Sequence, residues 1–399
     1  MTHPFTTAII FATTALSLYY LSAILFLRCG LQRVINDSPA PSSNNLSFSV
    51  LIAARNEENN IAACLNAVLH QTIPTCQYEI IIVNDRSTDS TQSIVQDFVE
   101  QYPHISLINL MEVPAAISPK KYAISCGYAL SKNEIIAVTD ADCIVPEHWL
   151  ASISHYMAEG VGLVQGITTY SRPDGINDLL FGIQALDFVS HGVIAAAAMG
   201  AGLPINGNAN NMAYRRRAFE DCNGYAGVRG VVSGDDDLLL QKIWHSKKWR
   251  VRFMAAATAA VVTAPCLSWQ AVFEQRKRWA SKTVHYTMKQ RLFLSGIFLF
   301  YSGLICAIGA PVLNSTLWSV PILMLIIKLC GEAVLLVPGT NLFGTKPLRK
   351  YFIIASLVQL PLTLAAVIAG VFGKFNWKDQ QFKRTTKGTH CNGFDDRNN

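Results

Sequence analysis

Four long apolar stretches constrain what this chain can fold into more than any other feature of it. The first runs from about Thr6 to Leu27, with no charge between His3 and Arg28. A helix rises about 1.5 Å per residue, so about 20 such residues cross a hydrocarbon core about 30 Å thick. A cleaved signal peptide would instead carry basic residues ahead of an apolar region of about 7–15 residues. Here the region is longer and Arg28 and Arg33 follow it, which reads as an uncleaved anchor. Three further stretches lie at about 292–313, 316–338 and 352–372. Charged residues make up only 15% of the chain, and the deficit is concentrated in these stretches. The expected layout is an anchor over 1–33, a Pro/Ser/Asn-rich linker over 34–46, a folded domain over 47–290, a membrane region over 291–373 and a polar tail over 374–399.

The net charge of +6 is placed around those stretches. Arg276, Lys277, Arg278, Lys282, Lys289, Arg291, Lys346, Arg349 and Lys350 flank them, as basic residues flank the cytosolic ends of membrane helices. The expectation is a multi-pass protein of the inner (plasma) membrane with its domain in the cytosol. Nucleic-acid binding is not expected, because the basic residues follow the apolar stretches rather than one motif. Three crossings after residue 291 would put the tail outside despite Lys374, Lys378, Lys383, Arg384 and Lys387. One stretch is then re-entrant or interfacial, with Lys328/Glu332 and Pro361 marking the two candidates. Lys328 and Glu332, four apart, are spaced to pair on one helix face. Ten cysteines without a CxxC pair fit a reduced compartment; Cys64, Cys126 and Cys143 read as small buried residues.

Between anchor and membrane region, strands and helices alternate. Strands are expected at Ser47–Ala53, Glu79–Val83, Ile105–Asn109, Ile135–Thr139 and Val161–Gln165. Helices are expected at Glu57–His70, Ser90–Gln101, Lys120–Ser131 and Pro146–Glu159, the last opening on its proline. Near-continuous apolar strands in this alternation indicate an α/β fold, a parallel sheet covered by helices. Ligands of such sheets bind beyond the carboxyl ends of the strands. There the chain places Ala54-Arg55-Asn56-Glu57-Glu58, then Asn84-Asp85-Arg86-Ser87-Thr88-Asp89, then Asp140-Ala141-Asp142. GxGxxG after the first strand and GxxxxGK[ST] are both absent from the sequence.

Asp140 and Asp142 at a strand tip repel unless a cation joins them, and Mg²⁺ or Mn²⁺ with a diphosphate would do so. Alone, Asp-x-Asp is a common tripeptide, and the pair reads better as a solvated turn or a helix cap ahead of Pro146. Asp235-Asp236-Asp237 precedes an expected helix at Leu238–Trp244, where carboxylates are favoured by free N–H groups. One of them is also placed to act as a general base toward an acceptor hydroxyl. Gln275-Arg276-Lys277-Arg278-Trp279 combines cations suited to a leaving diphosphate with an indole suited to stacking on a sugar.

In this order the elements resemble family 2 glycosyltransferases, the inverting group with a GT-A fold that includes cellulose and hyaluronan synthases and many lipid glycosyltransferases. The resemblance covers about residues 47–285. It implies donor contacts from Ala54, Arg55, Glu57, Asp85, Lys120, Asp140 and Arg278. Asp140 and Asp142 match the metal-binding Asp-x-Asp. Asp235, or its neighbour Asp236, matches the catalytic base, with Gly234 where the family has glutamate. Gln275, Arg278 and Trp279 match Gln-x-x-Arg-Trp, and Asn206-Gly207 the loop near the acceptor. Asn84, Arg86 and Pro119 depart from the family's residues.

The implied function is transfer of a hexose from a nucleotide sugar, a UDP-sugar, to a lipid hydroxyl such as that of an isoprenoid or carotenoid alcohol. A processive polysaccharide synthase with a glycan acceptor and a non-enzymatic membrane scaffold are the alternatives. Leu179–Pro204, with Phe181, Leu186, Phe188 and Val189, is expected either to form an interfacial surface presenting the lipid or to pack as core.

Overall fold

The structure, a computed structural model, describes residues 4–37, 46–372, 374–377 and 380–383. Most of the expected linker and of the polar tail, residues 38–45 and 384–399, lies outside these. The anchor is the helix α1 (Pro4–Ile35). The domain then runs β1 (Phe48–Ala54), α2 (Ile61–Leu69), β2 (Tyr78–Asp85), α3 (Thr91–Gln101), β3 (Ile105–Leu110), α4 (Pro119–Leu130) and β4 (Ile135–Asp140). It continues with β5 (Cys143–Ile144), α5 (Trp149–Tyr156), β6 (Val161–Gln165), β7 (Thr168–Tyr170) and α6 (Asp178–Gly200). After α6 come β8 (Met212–Arg215), α7 (Arg216–Asp221), α8 (Asp237–His245), β9 (Arg250–Phe253), β10 (Val261–Thr263) and α9 (Trp269–Ser281). The membrane region holds α10 (Met288–Ile308), the short α11 (Ala310–Leu313), α12 (Ser319–Leu342) and α13 (Phe352–Phe372), followed by the hairpin β11 (Lys374–Trp377) and β12 (Gln380–Lys383).

The strands form a seven-stranded sheet in the order β3-β2-β1-β4-β8-β6-β9, and β5-β10-β7 form a smaller one. The four strands from β3 to β4 are parallel, as the apolar runs predict; β8 is antiparallel to both neighbours. Their inward residues are sealed: Val50, Leu51, Ile52, Ile80, Ile82, Ile135 and Ile136 are all buried.

Two helix expectations are corrected. The first helix starts at Ile61 rather than Glu57, because the N–H groups of Asn56, Glu57 and Glu58 bond Ser87, Thr91 and Asp89 of the next loop. Pro146 does not open α5, which begins at Trp149. Cys64 and Cys143 are buried as expected, whereas Cys126 is only half-buried.

Five described helices are long and apolar enough to cross a membrane: α1, α6, α10, α12 and α13, the last three with adjoining turns. Helix α6 cannot do so. Strands before and after it share both sheets, β4 and β6 pairing with β8 and β7 with β10, so its two ends lie on one side. It rests instead between the domain and the bundle, with Leu186, Val189 and Val193 buried. Its Gly200 meets Gly30 of α1 so closely that a Cβ on either would overlap the other helix's backbone. Phe181, Leu186 and Val189 are therefore packing residues, and an open lipid-facing surface along them is not what forms.

Helices α1, α10 and α12 pack lengthwise. Tyr20 stacks on Phe300 at 4.1 Å, and Gly331 lies against Tyr20 and Ile24. Lys328 and Glu332 pair at 2.5 Å, and Lys328 Nζ also donates to the Ser356 carbonyl at 2.9 Å while the Tyr301 hydroxyl donates to Glu332 at 3.1 Å. These charges thus join α10, α12 and α13. Both ends of α13 rest on domain-side elements. Just before it, Tyr351 donates to Asp178 at 2.8 Å, and near its end Gly370 abuts the backbone of Lys277 in α9.

Candidate active site

The parallel strands end level with one another: Ala54 lies opposite Asn84, and Ala53 opposite Asp140. The three polar tips of the sequence therefore open on one edge of the sheet. Asp85, almost buried, pairs with Arg86 at 2.8 Å and Arg55 at 3.9 Å. Arg86 stands where the resembled family has glycine and adopts the left-handed backbone that glycine favours, with φ of 53°. Ala54 is buried at the strand end, and Glu57 accepts from Asn60 at 2.8 Å in the loop beyond it.

Asp140 and Asp235, distant in sequence, meet through one cation. Lys120, in the first turn of α4, lies 2.6 Å from Asp140 and 3.2 Å from Asp235. Burial works against its charge, yet those two carboxylates hold its ammonium above the usual lysine range. Arg278 of α9 is half-buried beside Asp235, Asp236 and Asp140; the protein around it pushes its guanidinium below the usual arginine value. Donor-side, base-side and basic elements thus share one site.

Asp142 tests whether the site suits a divalent ion. Its side chain reaches solvent at the strand tip, yet the protein packed around it, and then the charges of Asp140 and Glu57, push its carboxyl up to about 6. A carboxylate disfavoured in this way is relieved by a cation, and an all-oxygen donor set suits Mg²⁺ or Mn²⁺. Among the described residues no group of three His, Cys, Asp or Glu side chains converges as a protein-only metal cage. The two aspartates fit an ion whose remaining ligands come from a diphosphate and water.

On the other side of Asp235 lies a network that sequence reasoning missed. Asp236 caps α8, and Asp237 is its first residue, fully buried. Lys282 lies 3.3 Å from Asp236 and 2.9 Å from Asp237, and the Tyr286 hydroxyl donates to Asp237. Burial, with Asp236 adding, pushes the Asp237 carboxyl up to about 7. The signal available was the four-residue spacing of Arg278 and Lys282, which puts both on one face of a helix. Lys121 was missed as well. It is buried and donates to the carbonyls of Val228, Val231 and Ser233 at 3.1, 2.5 and 3.0 Å, fixing the loop that delivers Asp235. Burial pushes this ammonium down to about 8.

The expected acceptor residues line the same region. Gly207 is pressed against the backbone of Asp236 and Asp237, where a Cβ would overlap it, so Asn206-Gly207 lies over the start of α8. Gln275 accepts from the Tyr170 hydroxyl at 3.4 Å. Trp279 lies 6.0 Å from Phe188 and 5.6 Å from His191, both on α6, with the Arg276 guanidinium 4.2 Å over its ring.

The sequence profile of Glycosyl transferase family 21 matches residues 11–389. Glycosyltransferase AglE of Haloferax volcanii is 33% identical over 128 residues, which is 32% of this chain and 41% of that one. The beta-monoglucosyldiacylglycerol synthase of a Nostoc species is 28% identical over 246 residues, 58% of this chain and 48% of that one. These matches span less than half the length of either curated relative. Among solved structures, the mannosyltransferase PcManGT from Pyrobaculum calidifontis, in complex with GDP-Man and Mn2+, superposes with a TM-score of 0.58. It covers 91% of this chain and 99% of that one at 18% identity, a likeness of fold. The GT-A architecture that the motifs imply is the one observed.

Proposed function

The chain belongs to glycosyl transferase family 21, and from that premise we propose that it transfers a hexosyl group from a nucleotide sugar to the hydroxyl of a membrane lipid, inverting the anomeric centre. The motifs resembling family 2 lie within the match. The observation that carries the reading is Lys120, which joins the tip of the Asp-x-Asp strand to the candidate base within 3.2 Å. One lysine then faces both the departing diphosphate and the group that activates the acceptor.

In this reading Asp235 takes the proton of the acceptor hydroxyl as its oxygen bonds to the anomeric carbon. The bond from that carbon to the diphosphate oxygen breaks, and the nucleoside diphosphate leaves. Lys120 and Arg278 face the charge on the diphosphate, where preorganised cations act most strongly. Asp140 and Asp142 would hold Mg²⁺ or Mn²⁺, which when bound neutralises part of the same charge. Arg55, Glu57 and Asp85, with the backbone at Ala54, would contact the nucleotide, which we take to be UDP. Asn206, Gly207, Gln275 and Trp279 would contact the acceptor. A lipid acceptor is supported by a relative named for a diacylglycerol glycolipid and by a site that opens beside α6 and α9, next to the membrane bundle.

The membrane is proposed to be the inner, plasma membrane with the domain on its cytosolic side. Helices α1, α10 and α12 are the crossings, and α13, pinned to the domain at both ends, lies along the surface. Lys374 and Lys383, which follow α13, then lie on the domain's side, which removes the conflict that three crossings after residue 291 would create. Impermeant thiol labelling of a single-cysteine variant retaining the exposed Cys76 tests the sidedness; labelling in intact cells would place the domain outside.

Product chemistry tests the activity. Membranes bearing the enzyme, given labelled nucleotide sugars and then extracted with organic solvent, should carry label in the lipid phase. Label held in aqueous high-molecular-weight glycan would replace this reading by a polysaccharide synthase, and no transfer at all would leave a scaffold.

A further inference from the structure

Helix α9 divides its side chains between two duties. Arg278, and Lys282 one turn on, face the carboxylates Asp235, Asp236 and Asp237. Val272, Arg276 and Ala280, spaced four apart, form its buried face. Arg276 fills the first of the two variable positions inside Gln-x-x-Arg-Trp. A buried guanidinium is costly unless paired, and its partner comes from α6. Arg276 lies 2.5 Å from Asp187, both side chains 9% exposed. Gln359 of α13 donates to the same carboxylate at 3.4 Å, and His191 lies 3.8 Å from it. Arg276 also donates to Gln275 at 3.0 Å, and the central carbon of its guanidinium stands 4.2 Å over the Trp279 ring. Its Nε is buried and has no hydrogen-bond partner, as expected of a guanidinium whose other contact is an aromatic face. The indole is bracketed by Phe188 and His191, and Phe188 in turn stacks on Tyr170 at 4.3 Å.

We infer that the Asp187–Arg276 pair is a positioning device for the acceptor: α6 holds Arg276, and Arg276 fixes Gln275 and the Trp279 ring against which the lipid's polar head is oriented toward Asp235. This rests on the proposed transfer reaction and deepens it. It makes the helix between domain and membrane bundle part of acceptor recognition, with Arg276 acting through its neighbours rather than on the reacting atoms. A lysine at this place keeps the charge but loses the plane that lies over the indole and the fork that reaches Asp187 and Gln275 together.

The test separates acceptor recognition from chemistry and from folding. In full-length enzyme in membranes, transfer is measured against acceptor and donor concentration, and donor hydrolysis is measured without acceptor. Arg276→Lys and Asp187→Asn should each raise the acceptor KM at least tenfold, leaving donor KM and donor hydrolysis within about twofold, and Asp187→Glu should recover most of the loss. In Trp279→Ala background, Arg276→Lys should add clearly less than its effect in the wild type, because the part of it that passes through the ring is already lost and only the part through Gln275 remains. An acceptor KM unchanged in both single variants overturns the inference, as do effects that multiply in the double variant. Hydrolysis falling in step with transfer also overturns it, since that marks a merely structural role. If wild-type enzyme builds glycan instead of glycolipid, the lipid reading falls while the same curves against the glycan still decide the pair. If it transfers to no acceptor, both fall.

Discussion

Replacing Lys282 by Met should destabilise the protein in a way that depends on pH. The ammonium lies 2.9 Å from Asp237 and 3.3 Å from Asp236, and Asp237 has no exposed surface. At an effective dielectric of about 20 each contact is worth roughly 5 kcal/mol gross, most of it offset by desolvation. Breaking such a buried pair by removing one partner costs about 3–5 kcal/mol. The Asp237 carboxyl, already pushed up to about 7 by burial and by Asp236, rises further without the lysine. In the unfolded chain it titrates near 3.9, so between the two values the folded state holds the extra proton and stability falls as pH rises. In the variant that window extends upward. The full cost appears at high pH and shrinks as pH falls, when a proton takes over from the ammonium. Thermal unfolding in detergent should therefore show the variant's midpoint roughly 6–20 °C below wild type near pH 8.5 and distinctly less near pH 6. An equal deficit at both pH values would refute the electrostatic account, and no deficit would refute the network.

Asp235→Asn should lower kcat by about 10²–10⁴-fold, the usual worth of a general base, with donor KM little changed; near-normal turnover would move that role to Asp236. Chelation with EDTA should abolish transfer and Mn²⁺ restore it, whereas full activity in metal-free buffer would remove the metal from the reading. Gly30→Leu should separate α1 from α6 and lower the unfolding midpoint, because any Cβ there overlaps Ala197 and Ala201; an unchanged midpoint would mean the crossing is not tightly packed.

What the sequence made legible was carried by short-range pattern. The strands β1 to β4 are apolar runs cut off by polar tips, and a parallel sheet leaves such tips on one edge whatever the loops do. Asp85, Asp140 and Lys120 therefore fall where the pattern puts them. Asp235 follows because carboxylates at a helix start are marked locally. Lys282, Tyr286, Lys121 and the Asp187–Arg276 pair were not legible, since each partner is supplied by a distant segment. The basic residues after Trp279 suggest lipid headgroups equally well until α8 and α9 are seen to meet. The helix start at Ile61 was missed for a related reason: propensity does not record that a neighbouring loop has claimed the backbone N–H groups of Asn56, Glu57 and Glu58.

Length and apolarity would admit α6 as a crossing as readily as α13, and the two cases have one cause. An apolar stretch of about 20 residues states that a helix is shielded from water, and only length relative to a bilayer suggests that lipid does the shielding. Helix α6 is shielded by the sheets on one side and by α1, α12 and α13 on the other. Its buried Asp187 is tolerable because Arg276 reaches it from the domain rather than from water. Helix α13 lies along α9, whose opposite face carries the cations of the site. A helix that crosses a bilayer must have ends on different sides, so connectivity settles what composition leaves open. The sheet pairing on both sides of α6 rules out a crossing, and the contacts of Tyr351 and Gly370 with domain helices argue the same for α13. The catalytic edge thus stands on two apolar helices that lie between it and the bundle. In the proposed reaction an acceptor dissolved in the bilayer passes them to reach Asp235, and the Asp187–Arg276 pair, which ties α6 to α9 and takes Gln359 of α13 on the same carboxylate, is where acceptor selection is expected to reside.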